Sequence, residues 1–309
     1  MQSSARCARN TRPNCWPGCP RSKGLLTCEE LLRRACQQLD SDTPRLDAEL
    51  LLARVTGLSR TSFRAWPERT LTDEQTGTFQ ALLARRRNGE PIAHILGEQG
   101  FWTLTLKVND STLIPRPDTE CLVEAILDLD LPDGARVLDL GTGTGAIALA
   151  LASERADWQI LAADNSPDAV ALARENAEAL QLPVAVFQSD WFTGLPARTF
   201  DLIVSNPPYI EAGDEHLSRG DVRFEPASAL VSGADGLDDI RYLIAAAPDW
   251  LVNGGWLVLE HGYNQGAAVR GILARGGWAS ICTGRDYGGN DRYTLARFPH
   301  GGSGDTDAQ

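Results

Sequence analysis

The chain has 309 residues, enough for one large or two modest domains. It is 43% hydrophobic and 23% charged, and no apolar run is long enough to cross a bilayer as a helix, so no membrane-spanning helix is expected. A formal net charge of −12 gives no general attraction for phosphate backbones and disfavours non-specific nucleic-acid binding.

Residues 1–24 carry Arg6, Arg9, Arg12, Arg21 and Lys23 with no acid among them. Pro13, Pro17, Gly18 and Pro20 interrupt any amphipathic helix there, and no apolar core of a secretory signal is present. This stretch is expected to be a disordered extension outside the fold. The seven cysteines include no CxxC pair and show no even-numbered framework, which predicts reduced thiols in a cytoplasmic protein and no metal site.

From Thr27 the pattern turns helical. Thr27 reads as an N-cap with Glu29 and Glu30 in the first turn, followed by Leu31, Leu32, Ala35 and Leu39 at helical spacing. A second helix follows Pro44 and stops at Gly57, and a third runs from Thr72 to about Asn88. Arg85, Arg86 and Arg87 read as its solvated end. Residues 25–90 are thus expected to form a small helical bundle, a unit better suited to substrate recognition than to chemistry. Over residues 91–112 the period changes: Phe101 to Val108 alternates like a strand, which predicts a hairpin linker.

Residues 113–300 alternate strand and helix. Pro115-Arg116-Pro117 stiffens a segment that displays Arg116, and Asp118-Thr119-Glu120 opens a helix with Leu122, Val123, Ile126 and Leu127. Strands are predicted over 136–140, 159–164, 184–188, 200–204 and 255–260, with helices over 145–153, 167–180, 237–252 and 264–275. Trp278 to Cys282 and Arg292 to Phe298 read as a closing pair of edge strands, and 301–309 as a flexible tail. Such alternation requires crossovers and a mostly parallel α/β sheet, with ligands at the carboxyl ends of the strands.

Four strand ends carry the candidate chemistry. Asp139-Leu140-Gly141-Thr142-Gly143-Thr144-Gly145 turns from strand to helix with glycine at alternate positions, where backbone comes close to a ligand. The spacing differs from the dinucleotide fingerprint, and the acid before it favours a cationic ligand such as S-adenosylmethionine, with Asp139 facing the positive part. Asp164 ends the next strand, where an acid accepts hydrogen bonds from ribose hydroxyls, although it could also cap the helix at Pro167. Asp190 and Trp191 end the third, as an adenine-flanking pair or as core filling. Ser205-Asn206-Pro207-Pro208-Tyr209 ends the fourth. Its prolines donate no hydrogen bonds and hold their φ near −65°, so Asn206, the Pro207 carbonyl and the Tyr209 ring are placed to grip a planar NH2 group, or the segment is simply a stiff turn.

Together these stretches resemble the amino-directed, S-adenosylmethionine-dependent methyltransferases. Within them the chain is similar to the peptide-chain release factor glutamine methyltransferases, the PrmC/HemK family. Leu113 to Glu120, Asp139 to Gly145, Ser205 to Ile210 and Leu259 to Gly262 carry the resemblance, over about residues 27–298. It implies a seven-stranded Rossmann-like domain behind a helical bundle and hairpin. It also implies methylation of the glutamine in the Gly-Gly-Gln loop of class-1 release factors; a monomer is expected, and the −12 charge argues against nucleic acid as the substrate. Cofactor contacts would fall on Asp139, Gly141, Thr142, Gly143, Thr144, Gly145, Asp164, Asp190, Trp191 and Asn206. Asn206, Pro207 and Tyr209 would serve catalysis, and with Pro208 and Arg116 would hold the substrate. Glu260 and His261 could shape the pocket but are read first as structural. An adenine-N6 methyltransferase gripping a flipped base and a non-catalytic binding scaffold are the competing readings.

Overall fold

A computed structural model describes residues 26–218 and 220–299; the expected extension over 1–24 and the tail over 301–309 lie outside these residues. The chain divides into two compact units after Leu83, upstream of the expected boundary near residue 90.

In the first unit, α1 (Cys28–Cys36) opens with a complete capping box, Thr27 accepting from the Glu30 N–H and the Glu30 carboxylate accepting from the Thr27 N–H. Leu31, Leu32 and Ala35 are buried on its inner face. The next helix, α2 (Pro44–Thr56), starts at Pro44 and ends on Gly57 at φ 68°, a left-handed cap that only glycine adopts without strain. A further helix, α3 (Arg60–Ala65), has no counterpart in the sequence reading, because six residues are too few to show a period. The fourth, α4 (Asp73–Arg87), begins here and buries Phe79 and Leu83.

The second unit starts within the last turn of α4. Arg86 is not solvated as expected: its side chain is 11% exposed and pairs with Asp221 at 2.8 Å. After α5 (Ile92–Leu96) come β1 (Glu98–Phe101) and β2 (Leu104–Lys107), an antiparallel hairpin. The run Phe101 to Val108 is therefore not one strand. A two-residue turn at Trp102-Thr103 preserves the alternation, which hid it, and Trp102 sits at φ 57°. The hairpin is not a free linker either. Phe101 and Leu106 enter the core, and Asn176 clamps the Lys107 backbone, accepting from its N–H at 2.8 Å and donating to its carbonyl at 3.0 Å.

Next come α6 (Glu120–Leu127), β3 (Arg136–Leu140), α7 (Ala146–Glu154), β4 (Gln159–Asp164), α8 (Pro167–Leu180), β5 (Ala185–Gln188) and β6 (Phe200–Ser205). They are followed by α9 (Asp238–Ala246), β7 (Leu251–Glu260), α10 (Gly266–Arg275), β8 (Ala279–Arg285) and β9 (Asp291–Arg297). The seven strands from β3 onward form one sheet in the order β5-β4-β3-β6-β7-β9-β8, parallel from β5 to β7 and antiparallel beyond. Alternate strand residues face opposite layers. Val137, Ile160 and Val204 pack with Leu122, Leu149 and Val170 of α6–α8, while Leu138, Leu161 and Ile203 pack with Ile240, Leu243 and Val269 of α9 and α10. The helix expected over 237–252 stops at Ala246, because Pro248 lies in a short 3-10 turn and Leu251 pairs with Phe200. Of the closing strands only β8 is an edge; β9 lies between β7 and β8.

The chain runs outward from β3 to β5 and then returns to lay β6 on the other side of β3. That reversal is the topological switch point of the sheet, and the turns after β3 and β6 leave it side by side.

Candidate active site

A cleft of about 980 Å³ opens at these strand ends, lined from β3 by Gly141, Thr142, Gly143 and Thr144. Gly141, Gly143 and Gly145 have φ of 69°, 56° and 85°, which side-chain-bearing residues rarely adopt. A Cβ on Gly141 or Gly143 would meet nothing closer than 3.6 Å, so these two are glycine for conformation rather than for space. The turn is locked to its neighbour: the Gly141 and Thr142 N–H groups donate to the Ala163 carbonyl at 2.9 and 3.0 Å, and Gly143 N–H donates to Asp164 at 2.9 Å.

Asp139 does not face the cleft. It is fully buried behind the turn, accepting from the Thr142 hydroxyl at 2.6 Å and the Ala148 N–H at 3.3 Å. The reason is local. Gly145, the N-cap of α7, has no side chain, so an acid from β3 caps that helix instead. Burial pushes the Asp139 carboxyl up to about 7. Gly145 also stays out of the cleft lining, its backbone carrying the turn into α7.

Asp164 lines the cleft with its oxygens already accepting from the Gly143 and Ser166 N–H groups, and burial raises its pKa. The N-cap of α8 is Ser166, which accepts from Ala169 N–H. Trp191 lines the same cleft at φ 48°, a strained backbone for a bulky residue, with its indole packed near Gly141. The strain is held by Ser189, whose hydroxyl donates to the Trp191 carbonyl at 2.7 Å and accepts from Gly194 N–H at 2.9 Å. Asp190, expected beside the adenine, is exposed and outside the cleft; Ser189 lines it instead. Nothing in the sequence distinguished Ser189 from any loop serine.

Asn206 sits at the junction of this cleft and a second cavity of about 430 Å³ lined by Pro207, Tyr209 and Ile210. Leu113, Arg116 and Ala229 line both spaces, and Pro208 faces the larger one. The Asn206 Nδ2 donates to Thr119 Oγ1 at 3.4 Å, while its Oδ1 is buried without a partner. Among the described residues no hydrogen bond reaches the Pro207 carbonyl. The Tyr209 carbonyl, by contrast, is taken by Gln265 Nε2 at 3.0 Å. Two acceptors thus stand open at one point, and burial makes an unfilled acceptor costly.

Arg116 is not a free arginine. Its guanidinium donates to both oxygens of Glu225 at 2.9 Å, and Glu225 also accepts from the Ile114 N–H at 3.0 Å. The pair fastens the 113–116 segment to the stretch after β6, across the second cavity. Glu225 is buried and its pKa is raised by that burial against the pull of Arg116. The sequence offered no sign of Glu225, which lies in an irregular stretch far from every motif.

Behind the turn, Glu260 ends β7 and is fully buried, with Tyr209 Oη donating to its Oε1 at 3.4 Å. Its Oε2 has no partner, and burial pushes the carboxyl up to about 7. His261 faces away: its ring nitrogens bond the Gly262 carbonyl at 2.9 Å and the Thr294 hydroxyl at 2.8 Å. It is structural, and burial lowers its pKa.

A sheet of this order, with a glycine turn and an acid at adjacent strand ends, defines a methyltransferase domain, and residues 117–233 match the methyltransferase small domain. A methyltransferase from Pyrococcus furiosus shares the fold, with a TM-score of 0.50 and 20% identity over 70% of this chain and 97% of that one. Residues 30–97 match the PrmC N-terminal domain. The release factor glutamine methyltransferase of Escherichia coli K12 is 54% identical over 86% of this chain and 97% of its own length. That of Pseudomonas aeruginosa is 58% identical over 86% and 97%. The chain belongs to the release factor glutamine methyltransferase family.

Proposed function

We propose that this site transfers a methyl group from S-adenosylmethionine to the side-chain amide nitrogen of the glutamine in the Gly-Gly-Gln motif of a class-1 peptide-chain release factor. The observation that carries the reading is Asn206 Oδ1, buried and unpartnered beside the open Pro207 carbonyl at the mouth between the two cavities.

The cleft fits the methyl donor. It combines an acid, Asp164, with a flat aromatic face, Trp191, and a buried Thr112 hydroxyl oxygen that has no partner of its own. In this reading Gly141 to Thr144 and Asp164 hold the donor's polar parts and Trp191 flanks its adenine; Asp139 and Gly145 shape the turn from behind. When bound, S-adenosylmethionine supplies an electrophilic methyl group.

An amide nitrogen is a weak nucleophile because its lone pair is delocalised into the carbonyl. Asn206 Oδ1 and the Pro207 carbonyl accept its two hydrogens, which fixes the nitrogen and favours the pyramidal, more nucleophilic form. Tyr209 packs beside the amide plane, and the Arg116–Glu225 pair shapes the wall behind it. Catalysis is then chiefly positioning and fixed dipoles, effects worth roughly several kcal/mol when geometry is held. The substituted nitrogen loses its proton to solvent, so no strong base is required. The reading includes a monomeric, cytoplasmic enzyme whose substrate is a protein and not nucleic acid.

The test is peptide mapping of a release factor before and after incubation with this protein and S-adenosylmethionine, beside an arm with adenine-containing DNA and RNA. Methylglutamine in the Gly-Gly-Gln peptide supports the reading. A methylated adenine with an untouched peptide overturns it in favour of base methylation, and no product in either arm favours a binding scaffold.

A further inference from the structure

Gln265 stands at the N-cap of α10, yet its side chain caps nothing there. It is buried, and its amide is spent across three separate segments of chain. The Gly262 N–H donates to Oε1 at 2.8 Å, which decides the edge of the amide that faces the turn after β7. The other edge, Nε2, therefore points at carbonyls: Tyr209 at 3.0 Å, Asp235 at 3.3 Å and Gly236 at 3.4 Å. Two hydrogens meet three acceptors, and the shortest bond is the one to Tyr209. Two glycines make room for this contact. At Gly236, φ 71°, a Cβ would collide with the Tyr209 carbonyl oxygen and stand 2.8 Å from Gln265 Nε2; at Gly262 it would stand 3.1 Å from Oε1.

The bond matters because of what the prolines leave undone. They fix φ at 207 and 208, but ψ at Pro208 and both dihedrals of Tyr209 are left to contacts from elsewhere. Gln265 holds the carbonyl of the Tyr209–Ile210 peptide. The N–H of the same peptide, on Ile210, donates to the Leu230 carbonyl at 2.8 Å, and the Ile210 carbonyl accepts from Ser232 N–H at 3.0 Å. The plane of that peptide is thus pinned from both sides, and Leu230 lines the second cavity. At the far end of the ring, the bond from Tyr209 Oη to Glu260 is long, 3.4 Å, so the backbone anchor carries more of the placement.

We infer that Gln265 is a positioning residue for methyl transfer: by holding the Tyr209 carbonyl it sets the Tyr209–Ile210 peptide plane, and with it the ring that packs beside the substrate amide. The inference rests on the reading of the Asn206 to Tyr209 turn as an amide grip, but its first readout does not require turnover. Gln265 touches neither substrate nor methyl donor; it acts through Tyr209. Its loss leaves the turn after β3 and the cofactor cleft as they are, because none of its partners lines that cleft.

The test uses the full chain labelled with carbon-13 at tyrosine carbonyls and nitrogen-15 at isoleucine amides. Tyr209-Ile210 is the only Tyr-Ile pair in the sequence, so a single coupled signal reports this carbonyl. The signal should move upfield, as a carbonyl does on losing a donor, in Gln265→Leu, which has no amide, and in Gln265→Glu, which keeps the acceptor for Gly262 but has no N–H to give. Turnover with release factor should fall on the order of tenfold in both, with one S-adenosylmethionine bound per chain at unchanged affinity. In a Tyr209→Ala background, where there is no ring to place, Gln265→Leu should cost less than about twofold more. Should Gln265→Leu fail to fold, Gln265→Glu carries the same readings. An unmoved carbonyl signal overturns the inference. So does wild-type turnover beside a moved signal, or losses that multiply in the Tyr209→Ala background. If the signal moves as expected but the wild type methylates no release factor, the anchor stands and the proposed substrate fails.

Discussion

The turns after β3 and β6 lie side by side at the carboxyl ends of two adjacent interior strands and solve opposite problems. The turn after β3 surrenders side chains. Its glycines reach positive φ, and its N–H groups are spent on the Ala163 carbonyl and Asp164, so its shape is set before any ligand arrives. The turn after β6 surrenders N–H groups instead. Its prolines donate nothing, which leaves the Pro207 carbonyl and Asn206 Oδ1 as open acceptors held at fixed places. A satisfied turn is a cradle, and an unsatisfied rigid turn is a grip. The pairing shows that the transfer end of the site leaves Asn206 Oδ1 and the Pro207 carbonyl without partners, whereas the Tyr209 carbonyl on the same turn is taken by Gln265.

The comparison is broken most sharply by Asn206→Ala. Removing the grip should lower turnover roughly 10²- to 10³-fold while S-adenosylmethionine affinity falls much less, read by steady-state kinetics and calorimetric titration. Equal losses in both would show that Asn206 serves the cradle instead. Arg116→Ala comes next. It strands the buried Glu225 carboxyl, and because the arginine is itself about a third exposed (35%), the loss should be roughly 1–3 kcal/mol, seen as a lower Tm with a raised KM for release factor. Recovery of Tm in Arg116→Ala with Glu225→Gln would confirm the cause. Gly143→Ala should cost about 1 kcal/mol through its left-handed backbone and weaken cofactor binding several-fold, leaving kcat at saturating cofactor nearly intact.

The smallest effect concerns pH. Asp139 has a folded-state pKa of about 7 against an ordinary value of 3.8, so the stability it contributes is full below 3.8 and is lost as pH rises toward 7. Asp139→Asn removes that loss while keeping an oxygen for Thr142 and Ala148. Without added ligand, the two proteins should melt together near pH 4, and the variant should hold its Tm better by pH 8. Parallel curves across that range would mean that Asp139 is ionised in the folded state.

Much of this was legible in the chain. β3, β4 and α8 fall where periodicity placed them, because each is a continuous apolar run or stripe bounded by proline, glycine or aspartate. The failures share a cause. The hairpin was expected, but Phe101 to Val108 was read as one strand of it because a two-residue turn does not interrupt a period of two, and α3 was too short for any period. Asp139 and Asp190 were placed in the site by adjacency to motifs, but adjacency says nothing about which way a side chain points. Glu225, Ser189 and Thr119 act through contacts across 109, 2 and 87 positions of chain, and only the two-residue contact was within reach of local reading.

What the sequence by itself determined is the set of strand ends and their chemistry: glycines, an acid, a tryptophan and the Asn206 to Tyr209 turn. These depend on local backbone rules, on φ permitted to glycine and φ imposed on proline, and such rules are written residue by residue. What only the tertiary structure decided is which acids face ligand and which face protein. Asp139 caps a helix that lacks a side-chain cap, Glu225 holds Arg116, and Glu260 accepts from Tyr209. Those roles arise from burial and from partners brought in by crossover connections, and burial is a property of the whole packed sheet.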